Sequence, residues 1–224
     1  MGKLITVWSP VISTGVTTIA IILADRLSKK HKVCLVDFDL NNADVALYLN
    51  IKDMEHNIDN LFSYIEGDHL TDEVLDANLI KIKDMSFLQG TNQINKGPLF
   101  TVGQLEPILE KTIEQFEIVI LNVNSNIDNA GTFLGLKNAD EVIVVLEQNV
   151  LHYQKLIEKS KIIGSFLKDS ICVVNKYNKN ILLTIENISE NISGKIIPLQ
   201  EINRTFLLNQ INMQTNYMSI FKNK

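Results

Sequence analysis

Cysteine, proline and long apolar runs are all scarce in this chain. Two cysteines and four prolines are spread over 224 residues, too few cysteines for the disulfide framework of a small secreted domain. Cys34 and Cys172 each lie inside an apolar, strand-like run, where a free thiol packs as a small hydrophobe. The longest apolar runs, such as Ile19 to Ala24, fall far short of the roughly 20 residues a membrane-spanning helix requires. No apolar h-region or small-residue cleavage site follows Lys3, which weighs against secretion. Basic residues are outnumbered, 21 against 26 acidic, giving a net charge of −5 and a pI near 5.4. That balance disfavours nucleic acid as a partner, because phosphate-backbone binding needs a basic face. The local clusters Lys29, Lys30, Lys32 and Lys176, Lys179 read as solvated loops. A cytoplasmic protein with no integral membrane segment is the expectation.

What the chain does have is core-forming material, with 46% of residues hydrophobic against 21% charged. That suffices for one domain over residues 1–224, with a possible extended or frayed tail at 213–224. Short β-branched runs alternate with helical stretches, the pattern of βαβ units, so the expected class is α/β with a mostly parallel sheet flanked by helices on both faces. Strands are expected at Leu4–Trp8, Val33–Phe38, Met85–Leu88, Ile118–Val123, Val142–Leu146, Ile171–Asn175 and Lys195–Pro198. Helices are expected at Thr17–Lys29, Asn57–Ile65, Leu70–Leu79, Val102–Gln115 with Pro107 near its start, and Leu151–Leu167. The remainder after Pro198 reads as largely helical.

Between the first strand and first helix lies SPVISTGVTT, residues 9–18. A strand, a loop containing Gly and Thr, and a helix opening on Thr-Thr is where phosphate is held at a helix N-terminus. A strand-to-helix turn with a Ser/Thr cap accounts for the loop equally well. The loop resembles the SPKGGVGKTT loop of the MinD/ParA family, the deviant Walker A ATPases. In that register Val11 and Val16 stand where the family carries its two lysines, and Ile12 and Ser13 replace glycines.

Three further stretches follow in family order. The segment VDFDLNNADVALYLNI, residues 36–51, resembles the DLDLxxGDVALYL stretch of the CpaE/TadZ branch; it places Asp39 at the aspartate that meets the Mg²⁺ water shell or the attacking water. Strand-end capping with loop solvation is the alternative for Asp37 and Asp39, placed behind the functional site. The run 115–149 resembles the Walker B segment, with Asn122 in place of its aspartate and Asp128 a few residues on. ICVVNKYNKN and KIIPLQEIN resemble the base-binding strand end and the loop beside it, placing Asn175, Lys176 and Pro198 there.

The resemblance implies a P-loop NTPase fold, with Ser13, Thr14, Gly15, Val16, Thr17 and Thr18 around the phosphates and ATP or ADP as cofactor. Thr17 and Asp39 would hold Mg²⁺, in the case of Asp39 through water, and Asp39 would be the catalytic residue if the protein is active. Without both lysines and the Walker B aspartate, efficient hydrolysis is not expected, since cations in this loop stabilise the charge of phosphoryl transfer. The implied function is a non-hydrolysing or slow spatial-positioning scaffold, like TadZ, for a pilus, secretion or conjugation apparatus. Its expected partners are a second copy and proteins of a membrane-associated assembly at the inner face of the membrane. An active partitioning or division ATPase and a nucleotide-free interaction protein are the alternatives.

Overall fold

The computed structural model describes residues 1–93, 99–190, 192 and 194–201. Its strands are β1 (Lys3–Trp8), β2 (Val33–Phe38), β3 (Ile80–Ile82), β4 (Met85–Leu88), β5 (Ile118–Val123), β6 (Glu141–Glu147), β7 (Ile171–Asn175) and β8 (Lys195–Pro198). They form one eight-stranded sheet in the order β3-β4-β2-β5-β1-β6-β7-β8. Every pairing is parallel except that of β3 with β4. The α/β class and mostly parallel sheet read from the sequence are therefore present.

Alternation along the buried strands supplies two cores, one on each face of the sheet. Ile5 and Val7 of β1, Val33 and Leu35 of β2 and Ile120 of β5 face α1 (Val16–Leu27), which buries Ile19, Ala20, Ile21 and Ala24 against them. Leu4 and Trp8, Val36 and Phe38, and Val119, Leu121 and Val123 face the other way. There they meet α5 (Val102–Gln115), α6 (Ala130–Asn138) and α7 (Val150–Ile163).

The same period of two fixes where polar residues fall at the carboxyl ends of the strands. Asp37 is two residues beyond Leu35, Asn122 two beyond Ile120, Glu147 two beyond Val145 and Asn175 two beyond Val173. All four therefore point to the α1 side. The register pairs Asp37 with Asn122 and Glu147 with Asn175, so each pair stands side by side.

Several boundaries differ from the sequence reading. The expected helix Asn57–Ile65 is a 3-10 turn, Ile58–Leu61, running into α3 (Phe62–Glu66). The helix at Leu70–Leu79 shortens to α4 (Asp72–Ala77), because Thr71 accepts from the Val74 amide and starts it later. Short helices also appear at α2 (Val45–Tyr48) and α8 (Ile185–Ser189), and the antiparallel β3 was not anticipated. Pro107 sits within α5 rather than near its first residue; buried Leu105, Ile108, Leu109 and Ile113 hold the helix across it. The long helix ends at Ile163 rather than Leu167, and Gly164 follows it. The helical expectation for the C-terminal residues beyond Glu201 lies outside the described residues.

Leu121 sits fully buried on central β5, beneath α6, where Gly135 comes close enough that a Cβ would stand 2.7 Å from its Cδ2. Truncating Leu121→Ala should cost about 2–5 kcal/mol of unfolding free energy, read as a lower urea midpoint at unchanged slope.

Candidate functional site

The loops that leave β1, β2, β5 and β7 surround a cleft of about 990 Å³ at the carboxyl edge of the sheet, the place where open α/β sheets bind ligands. Ser13, Gly15, Val16, Thr17 and Thr18 line it from the first loop, Asp39 and Asp44 from the β2 loop, Ser125 from the β5 loop, and Asn175 and Lys176 from the end of β7. Two expected positions are placed differently. Thr14 is buried, with no hydrogen-bond partner for its hydroxyl among the described residues, and is absent from the lining. Pro198 closes β8 beside Val174 and is not a lining residue either.

The first loop is held in a conformation that costs backbone strain. Ser13 has φ 62° and Gly15 φ 101°, the left-handed region that glycine enters freely and other residues do not. Gly15 is required for a second reason: a Cβ there would lie 2.5 Å from the Asn175 amide nitrogen. That nitrogen donates to the Thr14 carbonyl at 2.8 Å, and the Asn175 side-chain oxygen accepts from the Lys176 amide at 3.0 Å. The side chain that the resemblance assigns to the base thus ties β7 to the loop in this structure. Gly15 also starts α1 without any side-chain cap, leaving the first-turn amides and the positive end of the helix dipole available to an anion.

The cations that usually reinforce such a loop are not in it. Of the described residues lining the cleft, Lys176 alone is basic. Its ammonium bonds Glu147 at 2.5 Å, and that carboxylate holds it above the ordinary lysine range. Another lysine reaches the loop from behind: half-buried Lys159 on α7 donates to the Pro10 carbonyl at 2.8 Å and the Ser125 carbonyl at 2.6 Å. Burial, and then Lys155, lower its pKa, while Asp128 opposes them.

The polar groups at the strand ends form one network. Asp37 is fully buried; its carboxylate accepts from the Asn122 side chain at 2.9 Å and from the Val45 and Asp39 amides at 3.1 and 3.2 Å. Burial pushes its pKa up to about 7 against these bonds, and the neighbouring Asp39 charge adds to the rise. Asp39 accepts from the Asn124 side chain at 2.8 Å and the Asn42 amide at 3.2 Å. Burial raises its pKa too, and the Asn124 bond opposes that most. Asn124 and Lys159 escaped the sequence reading. Asn124 carries only an alternation cue, two residues past Asn122, and nothing local in α7 distinguishes Lys159.

A carboxylate and a hydroxyl, Asp39 and Thr17, share the cleft with the uncapped N-terminus of α1. This donor set fits Mg²⁺ when phosphate oxygens and water complete the shell. It does not make an all-protein metal site, and among the described residues no cluster of three or more His, Cys, Asp or Glu could hold one.

The fold and the place of the cleft define the class: this is the P-loop NTPase fold of the MinD/ParA type. A ParA-family ATPase from Chlorobium tepidum superposes with a TM-score of 0.80 at 17% identity, covering 94% of this chain and 88% of that one. The septum site-determining protein MinD of Pyrococcus horikoshii, solved with Mg-ADP, gives 0.74 at 16% identity over 93% and 86%. In sequence, an uncharacterized ATP-binding protein of Methanocaldococcus jannaschii is 25% identical over 203 residues, 87% of this chain and 72% of its own length. No protein-family model matches the chain. Among the described residues no helix is long and apolar enough to cross a membrane.

Asp37 gives the site a pH signature. Its folded pKa lies near 7 against an ordinary 3.8, so between those values the unfolded chain gives up a proton that the folded chain keeps, and stability falls as pH rises. Above about 7 this contribution is constant. Asp37→Asn removes the carboxyl, so its stability relative to wild type should climb from about pH 4 to about pH 7 and then level off in urea titrations. A parallel pair of curves would show that Asp37 titrates normally.

Proposed function

We propose that this chain is a nucleotide-binding protein of the MinD/ParA ATPase type that holds ATP or ADP with Mg²⁺ but turns ATP over very slowly. The observation that carries the reading is the uncapped α1 N-terminus opening onto a cleft that has Thr17 and Asp39 but a valine at each lysine position. Helix amides and dipole supply part of an anion site. The missing lysines would stabilise the spread charge of the transition state more than the bound phosphates, so their loss lowers turnover further than affinity. Asn122 sharpens the point, because an amide cannot supply the negative charge of the Walker B position.

A slow site of this kind suits a scaffold rather than a motor. The DVALYL stretch at 44–49 supports a TadZ-like role in positioning a pilus, secretion or conjugation apparatus, with a second copy and proteins of that assembly as partners. Asn175 and Lys176 would sit beside the base and Ser13 to Thr18 around the phosphates. Pro198 would act only through the neighbouring loop.

Calorimetric titration with ADP and ATP, each with Mg²⁺, should give saturable binding for the wild type. Val16→Lys, which returns a cation to the loop, should tighten it about tenfold, equivalent to roughly 1.4 kcal/mol. Absence of heat for both nucleotides in both proteins would leave the cleft without a nucleotide role.

A further inference from the structure

Four bonds and a shared peptide connect the back of the first loop to the carboxylate in the cleft. Lys159 Nζ donates to the Pro10 carbonyl and to the Ser125 carbonyl, at 2.8 and 2.6 Å. The peptide that carries the Ser125 carbonyl also carries the Asn126 N–H, which donates to the Asn124 side-chain oxygen at 2.8 Å. The Asn124 amide then donates to Asp39 Oδ1 at 2.8 Å. A cation on the carbonyl of a peptide polarises its N–H, so the bonds in such a chain strengthen one another. The ammonium is half-buried, lies 5.8 Å from the Trp8 ring centroid and has Asp128 as its nearby opposite charge. A partly desolvated cation on two carbonyls is strong, and leaving those carbonyls without a donor is costly.

We propose that Lys159 is this cleft's cation supplied from within the chain: a positioning residue that clamps residues 9–11 to residue 125 and, through Asn124, orients the Asp39 carboxylate toward the Mg²⁺ of a bound nucleotide. It replaces the loop lysines in holding the loop but not in touching phosphate, since it approaches from the far side and does not line the cleft. Turnover stays low while the divalent cation keeps a fixed carboxylate. The inference rests on the nucleotide-binding reading of the cleft, yet the clamp itself is testable without nucleotide.

The test compares wild type, Lys159→Met and Lys159→Arg by ADP calorimetry with and without Mg²⁺, and by hydrogen exchange of the ligand-free proteins. Mg²⁺ should tighten ADP binding in the wild type and in the Arg variant, whose fork can still reach two carbonyls. In the Met variant that Mg²⁺-dependent gain should drop about tenfold. A general loss of packing would weaken ADP equally with and without Mg²⁺, and that result overturns the proposal. Without nucleotide, amides of residues 11–14 and 126–129 should exchange at least about tenfold faster in the Met variant while β1 and β5 keep their protection. Unchanged exchange in both loops overturns the clamp even if ADP binds. If the wild type binds no ADP but the loops loosen, the clamp stands and the nucleotide reading falls. Should Lys159→Met fail to fold, Lys159→Gln, with a shorter neutral donor, takes its place with the same expectations.

Discussion

Parallel pairing of β2, β5 and β1 is the constraint on which everything at the cleft depends. Because strands in a parallel sheet all point the same way, their carboxyl ends come level, and the loops leaving them meet along one edge. The register sets Asp37 beside Asn122, and Asn122 beside Val7, just before the loop at Ser9. One residue of slippage would turn Asp37 and Asn122 into the opposite core and send apolar side chains into the cleft. Slippage is opposed because every residue of β2 is buried and Asp37 would lose its bond from Asn122, leaving a buried carboxylate short of donors.

The electrostatic character of the cleft follows from what that register brings together. Two buried or half-buried aspartates stand at the end of β2, and the answering charge is not a lysine in the loop. Their negative charge is met by amides: Asn122 on Asp37, Asn124 on Asp39, and main-chain N–H groups on both. Amide donors stabilise a carboxylate only in part, which is why burial still raises both pKa values. The arrangement is internally tied. Asn175 fastens the loop to β7 and Lys159 fastens it to the β5 loop, so the first loop keeps its left-handed residues without help from a cation inside the cleft.

The fold was legible because its signals are repeated and local. Each central strand is a short apolar run, and β1 and β6 are each followed by a helix of recognisable period. Short elements such as β3 and α2 lack enough residues to show a period. Chain order placed Asp39, Asn122 and Asn175 at the strand ends, and the structure sets each at the carboxyl edge of the sheet. Thr14 shows the limit of reading a loop as a string, since it turns into the interior while its neighbours Ser13 and Gly15 line the cleft; Pro198 instead lies exposed at the end of edge strand β8. Asn175 makes a different point: sequence gives a side chain's position but not which partner engages it. Lys159 was illegible because its partners are main-chain carbonyls more than a hundred residues away at one end and thirty-four at the other. A carbonyl acceptor leaves no trace in residue identity.

Retention without turnover is the centre of this account, and the identity of the nucleotide the protein keeps tests it most directly. Purified protein is incubated with ATP and Mg²⁺, separated from free nucleotide, denatured, and its bound nucleotide identified by chromatography. The account predicts that what is recovered is ATP. Recovery of ADP with released phosphate would show that the cleft completes the chemistry without its lysines, and recovery of no nucleotide would show that the helix amides and Asp39 do not hold one.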